Sequence, residues 1–246
     1  MEPLKAMEEA VEKLRRAIIM AAGEGSRLRP VTLETPKPLV SVNGTRMIDT
    51  EINALKSNGI HEIYIVTGYK SEKFKAAFSD DPDITILDNP YYLKGNNVTS
   101  LYVARDYLPG SFILEGDLNV FNENILDPAV SKSGYCASRE AHTSEWSLEL
   151  ENDSIVSYST SGGDECYRLW GVSMWTVEDG LKLSELVRTR VEDIKDWSDY
   201  WDTLALSNTP ELFDLGIREI GSGDIIEIDS YEELLEADPS YAGKQF

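Results

Sequence analysis

Apolar residues along this chain recur in two rhythms, and the change near residue 133 predicts how the molecule is built. From Ala17 to Ala22 the run is unbroken, and glycines follow at 23 and 25. That is the pattern of a short strand buried on both faces. Helix and strand patterns then alternate. Met47 to Lys56 has apolar residues at helical spacing and stops at Asn58-Gly59, which suits a left-handed C-terminal cap. Glu62 to Thr67 reads as a strand, Ser71 is placed to cap a helix through Phe78, and Ile84 to Leu87 is a strand. Asn97 to Tyr107 is helical, with Val98, Leu101, Tyr102 and Arg105 on one side. Phe112 to Glu115 is a strand ending at Gly116-Asp117. This order predicts an α/β fold with a parallel, doubly wound sheet and helices on both faces.

After residue 133 four strand-like segments (135–139, 146–150, 155–158 and 168–175) are separated by polar turns. A long helix from Val177 to about Asp196 follows, then a shorter one at Tyr200 to Leu206. Phe213 to Ile220 and Ile225 to Ile228 look like closing strands, and Tyr231 to Glu236 like a last helix. No Pro-, Gly- or Ser-rich linker divides the halves, so residues 16–246 are expected to form one domain with a mixed sheet. Residues 3–15 place Leu4, Met7, Val11 and Leu14 at helical spacing, which predicts an N-terminal helical extension over 1–15.

The longest apolar run is six residues, far below the ~20 that span a bilayer, so no membrane insertion is expected. No secretory leader is evident, and a cytoplasmic location is expected. Two cysteines, Cys136 and Cys166, make no disulfide framework, and with His61 and His142 the only histidines, most histidine-based metal sites and triads lack their raw material. The 246 residues carry 44 acids and 23 bases, a net charge of −21, which argues against nucleic acid as a partner. The charge is segregated. Residues 16–46 hold five bases and two acids, whereas residues 140–236 hold 24 acids and six bases. An anionic group held near the N-terminal third, and a cation or metal held by the rest, fits that division.

The strongest local pattern is Met20-Ala-Ala-Gly-Glu-Gly-Ser-Arg-Leu-Arg-Pro30, followed by Thr35-Pro-Lys-Pro-Leu39. A buried strand running into closely spaced glycines lets backbone N–H groups form an anion nest. The dinucleotide fingerprint would need glycine where Leu28 stands, and the P-loop Gly-Lys-Ser/Thr is absent. Two carboxylate clusters sit at strand ends: Asp117 in Glu115-Gly-Asp117, and Glu227 with Asp229 in Ile225-Ile-Glu-Ile-Asp229. Carboxylates converging from two strands suit a Mg²⁺ site shared with phosphate oxygens. Glu227 and Asp229 fall on one face of a strand, although Asp229 is also placed to cap the last helix.

The run of G-x-G-x-R-L-x-P and P-K-P-L resembles the signature of nucleotidyltransferases that join a nucleoside triphosphate to a sugar phosphate or alcohol phosphate. The resemblance extends over nearly all of residues 16–236. It implies a Rossmann-like fold of the nucleotide-diphosphosugar transferase type and Mg²⁺ as cofactor. It also implies that a loop including Ala22, Gly23, Gly25 and Ser26 holds the triphosphate, that Arg27 contacts the leaving phosphates, and that Lys37 contacts the reacting phosphate. Asp117 and Asp229, with Glu227, would be metal ligands.

All five tryptophans lie after residue 145, and Glu145-Trp146 and Asp199-Tyr-Trp-Asp202 set rings beside carboxylates. A quaternary ammonium has no N–H to donate and is held by ring faces and nearby negative charge. These two motifs, with Asn96-Asn97, the Gly171–Trp175 strand and Glu227-Ile-Asp229, resemble bacterial choline-phosphate cytidylyltransferases. That implies CTP and phosphocholine as the small-molecule partners, Asn96 and Asn97 near the base, and Glu145, Trp146, Tyr200 and Asp202 around the choline head. Another amino-alcohol phosphate or 2-aminoethylphosphonate is the nearest alternative, since a primary ammonium prefers direct carboxylate hydrogen bonds. A sugar-1-phosphate enzyme and a nucleotide-binding regulatory module without turnover are the others.

Overall fold

A computed structural model describes residues 11–244. Four parallel strands form its centre, in the spatial order Ser111–Glu115, Arg16–Ala21, Glu62–Thr67, Ile84–Asp88. The chain works outward from the first strand to Ile84–Asp88, then crosses back to place Ser111–Glu115 on the other flank. A crevice opens at the carboxyl ends where that direction reverses, the place where open α/β sheets bind ligands. Alternate residues of the first strand explain its unbroken apolar run. Ala17, Ile19 and Ala21 pack into one core with Leu55, Ile65 and Leu114, while Ile18 and Met20 pack into another with Val66, Val98 and Leu101.

The second half extends this sheet antiparallel, as the change of rhythm predicts. Gly163–Trp175 pairs through its last four residues with Ser111–Glu115, and along its length with Gly134–Thr143. Its first half also takes Ser147–Glu151 as a neighbour, with Ser154–Ser159 beyond, and Gly216–Glu219 lies parallel to Gly134–Thr143. A separate two-stranded ribbon joins Leu118–Val120 to Ile225–Glu227, with Glu227 directly opposite Leu118. No described helix is long and apolar enough to cross a membrane.

Several local expectations change. Residues 1–10 lie outside the described residues, so the expected extension is described only from 11 onward. There Glu12–Lys13 is a strand paired with Ala129–Val130, and Leu14 is buried. Ser71 is the first residue of the Ser71–Ala77 helix rather than its cap. The cap is Lys70 in a left-handed conformation, and the Ser71 hydroxyl turns to Thr67 and Asp88. The helix expected from Asn97 to Tyr107 breaks at Ala104 into Val98–Val103 and a 3₁₀ turn at Arg105–Tyr107. The long helix after Val177 is regular only to Arg188 and continues as a π turn over Thr189–Ile194.

Trp170, Trp175 and Trp201 belong to the core. Trp175 is fully buried between Phe213, Trp201 and Tyr135, with ring centroids 5.4, 6.2 and 6.4 Å away. Trp175→Ala is therefore expected to cost ~3–5 kcal/mol in urea unfolding. Leu181→Ala, on an exposed helix face, is expected to stay within ~0.5 kcal/mol of the parent. Equal urea midpoints for the two variants would contradict this assignment of the core.

Candidate active site

The glycine loop leaves the first strand at the crevice. Gly25 has φ 59°, and a Cβ there would stand 2.8 Å from Lys37 Cβ. Only glycine meets both demands, so the loop can press against Lys37. Lys37 itself sits in a 3₁₀ turn between Pro36 and Pro38, whose fixed φ angles pre-set the backbone. Its side chain is buried, and Nζ donates to Asp117 Oδ2 and Asp229 Oδ1, both at 2.6 Å. Arg27 is more exposed and reaches the same Asp229 oxygen from outside, at 2.9 Å. Burial pulls the Lys37 pKa down, but Asp117 and Asp229 outweigh it and hold the ammonium charged above its ordinary range.

The 118–120/225–227 ribbon brings the two carboxylate clusters together. Glu115, Asp117 and Glu227 each offer an oxygen, and the three lie within 4.8 Å of one another. Asp117 Oδ1 is buried with no hydrogen-bond partner among the described residues. An all-carboxylate oxygen set suits a hard divalent cation such as Mg²⁺, so these residues fit a metal. Asp229, also expected as a ligand, accepts from Lys37 as Asp117 does and meets Arg27 as well. It is free to do so because Ser230, in a capping box with Glu233, caps the last helix. Arg168 approaches Glu227 at 3.5 Å while its guanidinium lies over the Trp170 ring at 4.0 Å.

Crowding shows in the protonation of the acids. Burial, then Asp117, Asp202 and Glu227, push Glu115 well above the carboxylate range. Burial together with Asp117 and Asp229 raises Glu227 to about 7. Glu115 is absent from the metal ligands expected from sequence; it ends the Ser111–Glu115 strand, and the Gly116-Asp117 turn brings the Asp117 carboxylate back beside it. Gly171 makes room for it, since a Cβ there would lie 3.0 Å from the Glu115 side chain.

Two chambers meet here. One, of ≈310 Å³, is lined by Gly23, Gly25, Ser26, Arg27, Lys37, Asn97 and Asp117 among others. Ala22 and Asn96 are not on its wall. The Ala22 carbonyl accepts from the Tyr69 amide, and the Asn96 amide donates to the Trp197 carbonyl. The other chamber, of ≈580 Å³, is lined by Glu145, Trp146, Tyr200, Asp202 and Thr203, and shares Arg27, Glu115 and Asp229 with the first. The structure thus gathers Glu145, Trp146, Tyr200 and Asp202 from two segments far apart in the chain. Trp146 and Tyr200 meet edge to face, with centroids 5.6 Å apart at 70°. Asp202 is buried, and that burial lifts its pKa to about 7, with its own backbone amide and the Tyr135 hydroxyl working the other way.

A raised carboxyl pKa has a defined sign for stability. As pH rises from about 4 toward 7 the unfolded chain releases the Asp202 proton before the native state does, so native stability falls. Asp202→Asn removes this penalty. Metal-free Asp202→Asn protein is expected to gain Tm relative to the parent at pH 8 and to gain less, or nothing, at pH 5. A Tm difference that does not change with pH would show that Asp202 carries no such penalty.

Comparison with known proteins agrees with this geometry. Residues 16–131 match the family described as nucleotidyl transferase. The chain is 36% identical over 228 residues to the 2-aminoethylphosphonate cytidylyltransferase of Lancefieldella rimae, covering 92% of each chain. It is 32% identical over 218 residues to the choline-phosphate cytidylyltransferase of Streptococcus pneumoniae, covering 89% of this chain and 94% of that one. Its fold is similar to the solved CTP:phosphocholine cytidylyltransferase LicC from Streptococcus pneumoniae, with a TM-score of 0.84 and 30% identity over 92% of this chain and 99% of that chain. With the glycine loop, the buried lysine and the paired carboxylates meeting at one crevice, the chain belongs to the nucleotidyltransferase family and is a cytidylyltransferase.

Proposed function

We infer that the protein transfers CMP from CTP to a small zwitterion with a phosphate or phosphonate at one end and an ammonium group at the other, releasing pyrophosphate. The observation carrying this reading is the continuity of the two chambers through Arg27, Glu115 and Asp229. CTP would occupy the smaller chamber, with its triphosphate on the Gly23–Arg27 loop. An acceptor entering through the larger chamber would have its anionic oxygen at the α-phosphorus and its ammonium toward Trp146, Tyr200 and Asp202. That oxygen is already ionised, so attack requires no general base. Arg27 would neutralise the departing pyrophosphate and Lys37 the reacting phosphate, a division of labour in which positioning and charge supply the catalysis. Glu115, Asp117 and Glu227 would hold Mg²⁺, which when bound supplies positive charge to the phosphate oxygens.

For the acceptor, 2-aminoethylphosphonate is the first reading. The chamber offers carboxylates at Glu145 and Asp202 but ring faces only from Trp146 and Tyr200, a balance that favours an ammonium able to donate hydrogen bonds. Similarity to the Lancefieldella rimae protein supports it. Phosphocholine, expected from the sequence, is the second reading, supported by the Trp146–Tyr200 corner and by the likeness to LicC. A sugar phosphate fits poorly, because among the described residues no Asn or Gln lines this chamber to meet its hydroxyls.

Pyrophosphate release with each nucleoside triphosphate, Mg²⁺ and a panel of acceptors tests the reading. CTP with 2-aminoethylphosphonate is expected to give the highest kcat/KM. Trp146→Ala is expected to lower phosphocholine use by about 2- to 30-fold, the equivalent of ~0.5–2 kcal/mol for one ring, and to affect the primary amine less. Higher kcat/KM for phosphocholine would restore the choline assignment, and a preferred sugar 1-phosphate would overturn both. In the same assay Asp117→Asn is expected to lose at least tenfold in rate, or ~1.4 kcal/mol. Lys37→Ala is expected to cost ~2.7–4 kcal/mol in kcat. A Lys37→Ala enzyme with unchanged kcat and a raised KM for CTP would make Lys37 a ground-state binder instead.

A further inference from the structure

The two chambers are joined mechanically as well as by shared walls. The loop ending at Asn97 and the segment leading into the Trp201–Leu206 helix are zipped together. The Asn96 amide donates to the Trp197 carbonyl at 2.6 Å, and the Trp201 amide donates to Asn97 Oδ1 at 2.9 Å. Backbones approach so closely that a Cβ on Gly95 would lie 2.0 Å from the Trp197 oxygen. Outside this zipper the Trp197 ring meets Tyr91 edge on, at 5.1 Å. The helix has no side-chain cap of its own from Tyr200. Its first amide, on the buried Trp201, is satisfied by a residue 104 positions earlier in the chain.

The geometry points to Asn97 as a positioning residue that couples the nucleotide to the acceptor: one end of it lines the triphosphate chamber, and its side-chain oxygen holds the helix that presents Tyr200 and Asp202. A nucleotide that fixes Asn97 thereby fixes the acceptor wall, and loss of the Asn97 oxygen leaves a buried N–H without a partner and the helix free to shift. The same hydrogen bond must be equally useful in both directions, because coupling between two sites is reciprocal. This rests on the assignment of the larger chamber to the acceptor.

The test is calorimetric titration of the Mg²⁺-loaded protein with 2-aminoethylphosphonate and with phosphocholine, in the absence and presence of saturating α,β-methylene-CTP. In the parent protein the analogue is expected to tighten acceptor binding by about fivefold or more, the lower end of usual coupling. In Asn97→Ala the gain is expected to fall below about twofold, and Asn97→Asp, which keeps the accepting oxygen, is expected to restore it. If Asn97→Ala does not fold, Gly95→Ala, which wedges the loops apart away from either chamber wall, is expected to show the same loss. Coupling that survives in the folded variants, or that is missing from the parent, overturns the role of Asn97 while leaving the acceptor assignment standing. Absence of acceptor binding under every condition overturns that assignment and the coupling with it.

Discussion

One buried ammonium group organises this molecule's chemistry. Lys37 stands between Asp117 and Asp229 at equal distance, in a crevice where Glu115 and Glu227 are half-buried and crowded together. Burying charge is costly unless it is paired, and four acids against one lysine are not balanced by that lysine alone. The excess raises the carboxyl pKa values of Glu115 and Glu227. It also leaves the site suited to a divalent cation and to the positive loop around Arg27. The same imbalance repels most anions from the acidic half of the surface, so phosphates are favoured only where the glycine loop, Arg27 and Lys37 converge.

Holding those groups together depends on where backbones can touch. The switch point of the parallel sheet puts the end of the first strand beside the end of Ser111–Glu115. Glycine then removes obstacles: Gly25 lets the loop close on Lys37, and Gly171 lets Glu115 turn into the crevice. The second half adds the missing carboxylate through one register choice. Glu227 opposite Leu118 is beside Asp117, and a slip of one residue would turn Glu227 to the other face of the ribbon.

The larger chamber follows a different logic. Its walls come from the turn before Ser147–Glu151 and from the short Trp201–Leu206 helix, supported from below by the Tyr135, Trp175 and Phe213 rings. Aromatic packing fixes that floor, while Glu145, Trp146, Tyr200 and Asp202 project from it with a mixture of charge and ring faces. On the proposed function, discrimination among ammonium groups would reduce to how much the acceptor gains from carboxylate hydrogen bonds compared with ring contact.

Sequence alone determined the alternation of helix and strand, because apolar periodicity reports which faces are buried and the first strand is buried on both. It also marked the glycine loop, Arg27 and Lys37 as one motif, and the structure brings them to the wall of one chamber. Sequence could not separate the carboxylates. Glu227 and Asp229 share a face in an extended chain, and only the ribbon register and the Ser230 cap send one to the Glu115–Asp117 cluster and the other to Lys37. Nor could spacing reveal that Ala22 and Asn96 serve the backbone while Asn97 faces the chamber. Of the tryptophans, sequence singled out Trp146 beside Glu145, and packing against Tyr135 and Phe213 places Trp175 and Trp201 in the core. Residues far apart in the chain acquire their roles from tertiary contacts, and a linear pattern carries only the local half of that information.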